Sequence, residues 1–391
     1  MELEIAALFA LILVWTHGAT VEQFTNSNNL FAADIYKEVI KTNNENILIS
    51  PLSAEIVFAM AQSGAKGKTG EEIRTGLHLP NTDEETRSAV KSVLPTLNGD
   101  GYFRLYSANK IYVTDKFPVK EEFKQVATRV YQADLENVDF GHNVETADNI
   151  NKWVEKQTQN KIQNLIEPDI LDNRTVAVLL NALYFNAKWN NRFEKHLTKK
   201  GNFYKTARDV AEVDFMHDYN EECSYYESEE LNAKFLELSF LGDDLSMVFV
   251  LPNEKTGLAT LENRVEKVFG QHNFAGTPLS LTIPKFKIES TTDLKEVLEN
   301  LGVKKAFSQN EADFTGAVDL KGMYINEAKQ KTFIDVDEQG VEAAAISYVG
   351  FRYLSGALEP IEEFVADHPF IFYIKLKNFI LFAGRVLTPG Q

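Results

Sequence analysis

The stretch TVAVLLNALYFNAKW, residues 175–189, carries the clearest secondary-structure signal in the sequence. It is almost continuously apolar and rich in valine, leucine, tyrosine and phenylalanine, so both of its alternating faces are apolar. A strand with water on one face alternates between apolar and polar residues, whereas a strand covered on both faces does not. The stretch therefore predicts a central strand that is buried on both sides of a sheet.

Further strands are predicted on the C-terminal side of this stretch. They are KFLELSF (234–240), LSMVFVLP (245–252), LSLTIPKFKIE (279–289), FIFYIKL (370–376) and FILFAGRV (379–386). All are short apolar runs rich in β-branched and aromatic residues. Only Lys377 and Asn378 separate the last two runs, which predicts a hairpin.

Helical patterns dominate the N-terminal side. The segment NNLFAADIYKEVIK (28–41) has apolar residues at helical spacing, and Ser53 is placed to cap a helix through AEIVFAMAQSGA (54–65). A third helix, ADNINKWVEKQTQNKIQNLI (147–166), would carry Ile150, Trp153, Val154 and Ile162 along one side. Helices come mainly early, strands mainly late, and no linker divides the chain, so we predict one α+β domain.

The composition limits the classes of partner. The chain has 391 residues, 44% of them hydrophobic, and a formal net charge of −17. Such a charge argues against nucleic acid or an anionic membrane as the main partner, because both repel an acidic surface. We expect a protein with a large apolar core and neither of those partners.

The N-terminus predicts secretion. The run IAALFALILVW (5–15) is too short to span a bilayer, and Thr16 and Gly18 after it form the small-x-small pattern that signal peptidase requires. Glu2 and Glu4 stand where a secretory signal usually has positive charge, and a buried N-terminal helix is the alternative. We interpret residues 1–19 as a secretory signal peptide, with residues 20–391 as the single mature domain.

Two further residues bear on an extracellular location. Cys223 is the only cysteine, which excludes an intramolecular disulfide, so the core alone must hold the domain together. Asn173, followed by Arg174 and Thr175, forms an Asn-x-Thr sequon, which is a candidate glycosylation site in a secreted chain.

The motifs of common enzymes are absent from the sequence. Gly67-Lys68-Thr69 resembles the end of a phosphate-binding loop, but a helix precedes it and the first glycine of that motif is missing. The sequence has neither a Gly-x-Ser-x-Gly elbow nor a His-Glu-x-x-His motif, and its seven histidines are scattered. Cys223 follows two glutamates, which disfavour a thiolate. The sequence therefore predicts no enzymatic activity and no metal site.

Several ordered motifs together resemble the serpin family. They are NILISPLSAEIVFAMAQSGAKGKT (46–69), INKWVEKQTQNKI (150–162), LLNALYFNAKWNNRFE (179–194), FVADHPFIFYI (364–374) and LFAGRV (381–386). The resemblance covers essentially the whole mature chain. It implies helices packed on three β-sheets, with an exposed reactive loop at about residues 338–360 that can insert into the central sheet.

The segment DEQGVEAAAISYVGFRYLSGALEP (337–360) resembles the hinge and reactive loop of inhibitory serpins. The hinge comprises Glu338, Gln339, Gly340, Val341, Glu342, Ala343, Ala344 and Ala345. If this segment becomes a strand, residues 341, 343, 345 and 347 point one way, and all four are small and uncharged. The resemblance implies suicide inhibition, in which the loop is cleaved and then inserts, and a protein that is not itself an enzyme.

The scissile bond follows from the family's spacing, because the residue before the cut is usually the seventeenth from the hinge glutamate. Counting from Glu338 gives Leu354-Ser355, with Tyr353 and Arg352 as alternative scissile residues. Leucine implies a serine protease with chymotrypsin-like or elastase-like preference. The chain is most similar to arthropod blood serpins, which suggests a protease of an immune cascade and a monomeric inhibitor.

The resemblance also places a polar cluster where the strands of the sheet part. It maps to Ser50, Ser53, Asn181 and Gln330, with Trp189 at the opening; the family usually has histidine where this chain has Gln330. No cofactor is expected, since the helix that binds heparin in some members is not basic here. A glycosaminoglycan site would need another basic group, for instance Lys195, His196, Lys199 and Lys200.

Two other functions compete with inhibition. A non-inhibitory serpin (carrier, storage protein or chaperone) tends to have bulky or charged residues where this chain has Ala343 to Ala345. A secreted hydrolase is disfavoured by the missing motifs.

Overall fold

The computed structural model describes residues 2–97, 101–206, 208–242, 244–341 and 362–390, and of residues 2–20, 220 and 221 it describes the backbone alone. The α-helices in these ranges are α1 Glu2–Thr42, α2 Pro51–Gly64, α3 Gly67–Gly76, α4 Asp83–Leu97, α5 Glu121–Tyr131, α6 Asn143–Gln157, α7 Leu258–Glu262, α8 Val265–Val268 and α9 Leu294–Asn300. Short 3₁₀ helices span Pro168–Ile170, Lys195–Leu197 and Lys305–Phe307.

The strands are β1 Ile47–Ile49, β2 Phe103–Thr114, β3 Asp134–Val138, β4 Ala177–Lys188, β5 Lys199–Tyr204, β6 Val210–Ser228, β7 Ala233–Ser239, β8 Leu245–Pro252, β9 Ala275–Pro284, β10 Phe286–Asp293, β11 Glu327–Asp337, β12 Gly340–Val341, β13 Glu362–Val365, β14 Phe370–Leu376 and β15 Phe379–Val386. Helices lie mainly in the first half and strands mainly in the second. The predicted α+β class is confirmed.

The strands of the described residues form two hydrogen-bonded sheets. The central sheet has the order β10-β11-β12-β4-β2-β3, and the nine-stranded sheet has the order β1-β15-β14-β8-β7-β6-β9-β13, with β5 paired to β6. The expected division into three sheets is seen here as two, because the long strand β6 pairs with β9 along residues 215–225 and also with β5 at residues 210–215 and with β7 at residues 224–228. The pairing of β6 with β9 shifts its register between Asp218 and Glu221.

Two apolar cores enclose the central sheet. The larger core lies on its rear face, between the central sheet, the nine-stranded sheet and most of the helices. The smaller core lies on its front face, under α6 and the segment that follows α6. Every residue of β4 except Asn186 and Lys188 is buried, so this strand is covered on both faces as predicted.

Individual elements refine the sequence-based predictions. β14 and β15 form the expected hairpin around Lys377 and Asn378. Helix α2 begins at Pro51 with Ser50 as its N-cap residue, so the prediction of Ser53 as the cap is wrong. Helix α6 ends at Gln157, before Ile162, because Gln159 and Asn160 adopt left-handed backbone conformations that interrupt the helix.

The N-terminal segment continues as helix α1 in the backbone, and its removal as a signal peptide stays a prediction. No helix among the described residues is both long enough and apolar enough to cross a membrane.

Candidate functional site

Strands β11 and β4 pair directly along only part of their length. Residues 327–333 of β11 pair in parallel with residues 178–184 of β4, and we call this junction the seam. Beyond it β12 lies between the two strands, antiparallel to both, with Val341 opposite Val336 on one side and Ala187 on the other. The central sheet therefore already holds the first residues of an additional strand.

Glu338 anchors the segment that leads into β12. Its carboxylate is buried and accepts hydrogen bonds from Lys285 Nζ at 2.9 Å and from Thr198 Oγ1 at 2.7 Å. Burial alone would raise the pKa of Glu338, but these two donors outweigh it and hold the pKa below its usual value. Glu338 is thus a buried anion that is both paired and hydrogen-bonded, which fixes the start of the hinge.

Trp189 closes the opposite side of the hinge. Its indole Nε1 donates to the carbonyl of Asp337 at 3.0 Å, and its backbone N–H donates to the carbonyl of Gln339 at 3.0 Å. The indole stacks on Phe240 with ring centroids 4.5 Å apart. A residue at the end of β4 thereby holds the backbone of the hinge in place.

Gly340 can occupy its position only because it has no side chain. Its φ is +141°, a conformation that residues with a Cβ rarely adopt, and a Cβ here would lie 2.2 Å from the carbonyl oxygen of Ala187. The hinge therefore passes β4 at a distance that no other residue type allows.

Replacing Gly340 by alanine should dislodge β12 and lower the stability of the uncleaved protein. The added methyl group clashes with backbone atoms of β4 that cannot move without disturbing the sheet, so we expect a loss of roughly 3 kcal/mol or more in the free energy of unfolding. Urea unfolding followed by tryptophan fluorescence measures it. Gly302→Ala is the control, since Gly302 has φ +94° but a Cβ there would meet no atom of the described residues within 4 Å. Equal destabilisation by the two substitutions would contradict the close approach at Gly340.

A buried polar cluster lies on the rear face of the seam. Asn181 of β4 donates through Nδ2 to Ser53 Oγ at 2.6 Å and to Asn109 Oδ1 at 2.5 Å. Gln330 of β11 donates through Nε2 to Asn181 Oδ1 at 2.5 Å, across the seam, and to the carbonyl of Ser50 at 2.9 Å. The predicted residues Ser50, Ser53, Asn181 and Gln330 are therefore brought together.

Gln330 uses both ends of its side-chain amide. Besides its two donated bonds, its Oε1 accepts from the backbone N–H of Ser50 at 2.8 Å. A neutral histidine has one donor and one acceptor nitrogen and could not make all three bonds. The glutamine therefore binds the two strands and the start of α2 without a group that titrates near neutral pH.

Trp189 lies apart from this cluster. It is eight residues beyond Asn181 along the chain, which at the rise of an extended strand corresponds to roughly 26 Å. The five residues grouped by the sequence thus occupy two places, the polar cluster behind the seam and the hinge contact at its end.

The rest of the predicted loop lies outside the described residues. These residues are Glu342, Ala343, Ala344, Ala345, Arg352, Tyr353, Leu354 and Ser355. Their assignment as hinge and scissile residues stays a prediction.

Asn173 and the basic group lie on the surface. Asn173 is exposed in the turn before β4, where its carbonyl accepts from Lys116 Nζ at 3.1 Å. Among the basic residues 195, 196, 199 and 200, Lys200 pairs with Glu212 at 3.4 Å, and His196 lies 3.8 Å from Glu194. Nearby carboxylates thus already offset part of the positive charge of these four residues.

Three functional side chains were missed by the sequence. Lys285 and Thr198 anchor Glu338 from positions 53 and 140 residues away, and Asn109 joins the polar cluster 72 residues from Asn181. Each stands in an ordinary strand-like or polar context, so no local signal marks it. Only the tertiary structure brings these residues to the site.

Both the sequence and the fold match known proteins. The sequence matches the family described as Serpin (serine protease inhibitor) over residues 26–389. Alaserpin from Manduca sexta is 35% identical, over 98% of this chain and 99% of its own. Antichymotrypsin-2 from Bombyx mori is 35% identical, over 92% of this chain and 96% of its own. The crystal structure of Serpin48 from Tenebrio molitor, described as a highly specific serpin, has a TM-score of 0.89 and 48% identity, over 94% of this chain and 98% of its own.

Proposed function

The chain belongs to the serpin family, and from that premise we propose that it is a secreted inhibitor that traps a serine protease as a covalent complex. Serpins act as protease inhibitors rather than as catalysts. One observation carries the proposal: Gly340 and Val341 already pair with both β11 and β4, so the hinge is seated where an inserting strand would begin.

The pairing register of β12, extended to the loop residues that follow it, supports insertion of the loop. It would place Ala343 between Phe185 and Ile334, Ala345 between Leu183 and Thr332, and Ser347 between Asn181 and Gln330. The side chains of these positions on β4 and β11 face the rear core or its polar cluster and are buried. Small uncharged residues fit there, and Ser347 would meet the polar side chains that now bond across the seam.

The trapping reaction uses the chemistry of the target protease. The protease serine Oγ would attack the carbonyl carbon of Leu354, an acyl ester would form, and the peptide nitrogen of Ser355 would leave as an amine. The freed hinge would then insert along the seam, which is seven paired residues long. An inserted strand gains hydrogen bonds on both flanks, on the order of 10 kcal/mol in total. That free energy would carry the attached protease away and distort its active site before the ester is hydrolysed.

The target that we propose is a serine protease with chymotrypsin-like or elastase-like preference, since Leu354 would fill an apolar pocket. The name of the relative antichymotrypsin-2 supports this preference. We further propose that this protease belongs to an immune cascade, as the resemblance to arthropod blood serpins implies. We propose that inhibition needs no cofactor.

Incubation with a panel of serine proteases tests the proposed function. A denaturing gel should reveal a covalent band of inhibitor plus protease with chymotrypsin-like or elastase-like enzymes, with and without heparin. A protein that is cleaved by none of the proteases, or cleaved without a band, is not an inhibitor, and the carrier or storage alternative would then apply. Turnover of generic peptide or ester substrates by the protein alone would indicate the hydrolase.

We propose secretion and glycosylation at Asn173 on the sequence signals given above. When the full chain is expressed in insect cells, the protein should be recovered from the culture medium with an N-terminus near Thr20. Treatment with an N-glycosidase should lower its mass. Retention of residues 1–19 in the soluble cell fraction would contradict the proposal.

A further inference from the structure

An aromatic pair joins the front face of the seam. Tyr184 of β4 and Phe333 of β11 are directly opposite each other in the last pair before β12, and their ring centroids are 5.9 Å apart at 69°. Tyr106 of β2 stacks on the other side of Tyr184, with centroids 5.1 Å apart. Tyr184 and Phe333 are almost fully buried. An inserting strand must separate this pair, because Ala344 would take the position between the two rings.

Lys161 covers both rings of the pair. Its Nζ lies 5.9 Å from the ring centroid of Tyr184 and 5.8 Å from that of Phe333, within the range of a cation–π contact. Lys161 therefore spans the seam, with one contact on each strand. It belongs to the segment that follows α6 and crosses the front face of the sheet.

That segment is fixed to the sheet and to α6. Lys331 of β11 donates from Nζ to the carbonyl of Gln163 at 2.7 Å. Asn151 of α6 binds Ile166 twice, donating from Nδ2 to its carbonyl at 2.8 Å and accepting from its N–H at 3.0 Å. Lys161 is thus held over the rings by a braced segment rather than by its own side chain alone.

We propose that Lys161, Tyr184 and Phe333 form a clasp that slows the opening of the central sheet and thereby sets the rate at which the loop inserts. This inference rests on the proposed function. The clasp acts on the front face, whereas the polar cluster of Ser50, Ser53, Asn181 and Gln330 acts on the rear face.

The clasp contributes only to the closed seam. An inserted strand would increase the distance between β4 and β11 to two strand spacings, about 9.5 Å. Lys161 could then contact at most one of the two rings at its present distance. Loss of its charge should consequently affect the uncleaved protein more than the loop-inserted one.

Lys161→Met tests the clasp with the full-length protein. Methionine keeps the apolar length of the side chain and removes its charge. The readout is the rate at which the uncleaved protein incorporates a synthetic peptide of residues 338–349, followed by native gel and by tryptophan fluorescence. We expect an incorporation rate about fivefold above the parent, which corresponds to about 1 kcal/mol. The melting temperature of the uncleaved variant should fall, while that of its loop-cleaved form should stay near the parent value.

Lys287→Met is the matched control. Lys287 Nζ lies 5.0 Å from the Phe333 ring, but Lys287 is on β10, on the same side of the seam as Phe333, so its contact does not cross the seam. Both lysines also counteract the rise that burial causes in the pKa of Asp335, so the control matches that electrostatic effect. It should leave the incorporation rate unchanged.

The outcomes separate the clasp from the proposed function. If the parent incorporates the peptide and Lys161→Met does so at the same rate, the clasp is wrong and insertion stands. If the parent does not incorporate the peptide and forms no covalent complex with any protease, the proposed function itself fails. An equal acceleration by Lys287→Met would mean that positive charge near Phe333, not a bridge across the seam, controls opening.

In the double variant Lys161→Met/Phe333→Leu, the lysine substitution should accelerate incorporation by less than it does alone, because one of the two rings that Lys161 contacts is gone.

Discussion

Replacing Ala345 by arginine should turn the protein from an inhibitor into a substrate of its target protease. The exposed loop would still be cleaved at the same bond, because that step precedes insertion. Insertion itself would slow, the acyl ester would be hydrolysed, and the protease would be released in active form. The number of inhibitor molecules consumed for each protease silenced should rise well above one.

The physical reason is the position that the register of β12 assigns to residue 345. It falls between Leu183 of β4 and Thr332 of β11, both of which are buried on the rear face of the sheet. An arginine there would lose its hydration without gaining a carboxylate partner, at a cost of several kcal/mol. A barrier higher by about 3 kcal/mol slows insertion on the order of 100-fold, enough for hydrolysis to win.

Two measurements check this result. The first is the molar ratio of inhibitor to protease at complete inhibition, which should stay near one for the parent and rise at least severalfold for Ala345→Arg. The second is the melting temperature before and after loop cleavage. The parent should gain on the order of 10 °C or more because its loop inserts, and the variant should gain little. A variant that still traps protease near one to one would disprove the inward orientation of residue 345.

Glu342→Arg provides the matched control for charge. Continuing the same register, residue 342 would face the front of the sheet, opposite Asn186 and Asp335, and both of these side chains are partly exposed. An arginine there keeps its hydration and lies near a carboxylate. Glu342→Arg should therefore remain an inhibitor, which separates the effect of burial from that of an added positive charge in the hinge.

The elements that the sequence predicted well are those with a strong local pattern. The continuous apolar run of β4 and the two-residue gap between β14 and β15 each depend on neighbouring residues, and both are confirmed. The end of α6 was predicted too late because Gln159 and Asn160 continue a helix-like sequence pattern, although both adopt left-handed conformations that cannot continue an α-helix.

The site was less accessible to sequence reasoning because its interactions join distant strands. The family motifs placed Ser50, Ser53, Asn181 and Gln330 together. The partners of Glu338 became visible only when β10 was paired with β11, which brings Lys285 to the hinge. The position of Lys161 over two rings likewise depends on where the segment after α6 crosses the sheet, and residue order does not encode that.

Leu354→Arg should redirect the inhibitor from proteases with apolar specificity pockets to trypsin-like proteases. A trypsin-like pocket has an aspartate at its base that leucine leaves unpaired and arginine binds. An apolar pocket, in contrast, would have to desolvate the guanidinium group. Because a buried polar group without its partner is rejected strongly, we expect a change on the order of 100-fold or more in the rate constant for each protease class, in opposite directions.

The product of cleavage decides whether the bond is placed correctly. The peptide released from the denatured complex should begin at Ser355, in the parent with a chymotrypsin-like or elastase-like protease and in Leu354→Arg with a trypsin-like one. A new N-terminus at Leu354 would assign the cut to Tyr353, and one at Tyr353 would assign it to Arg352.

Arg352→Ala is the control, because it removes the trypsin-like alternative and should leave inhibition through Leu354 unchanged. A parent that inhibits trypsin-like proteases and loses this activity in Arg352→Ala would show that the loop presents its bond two residues earlier than the count from Glu338 predicts.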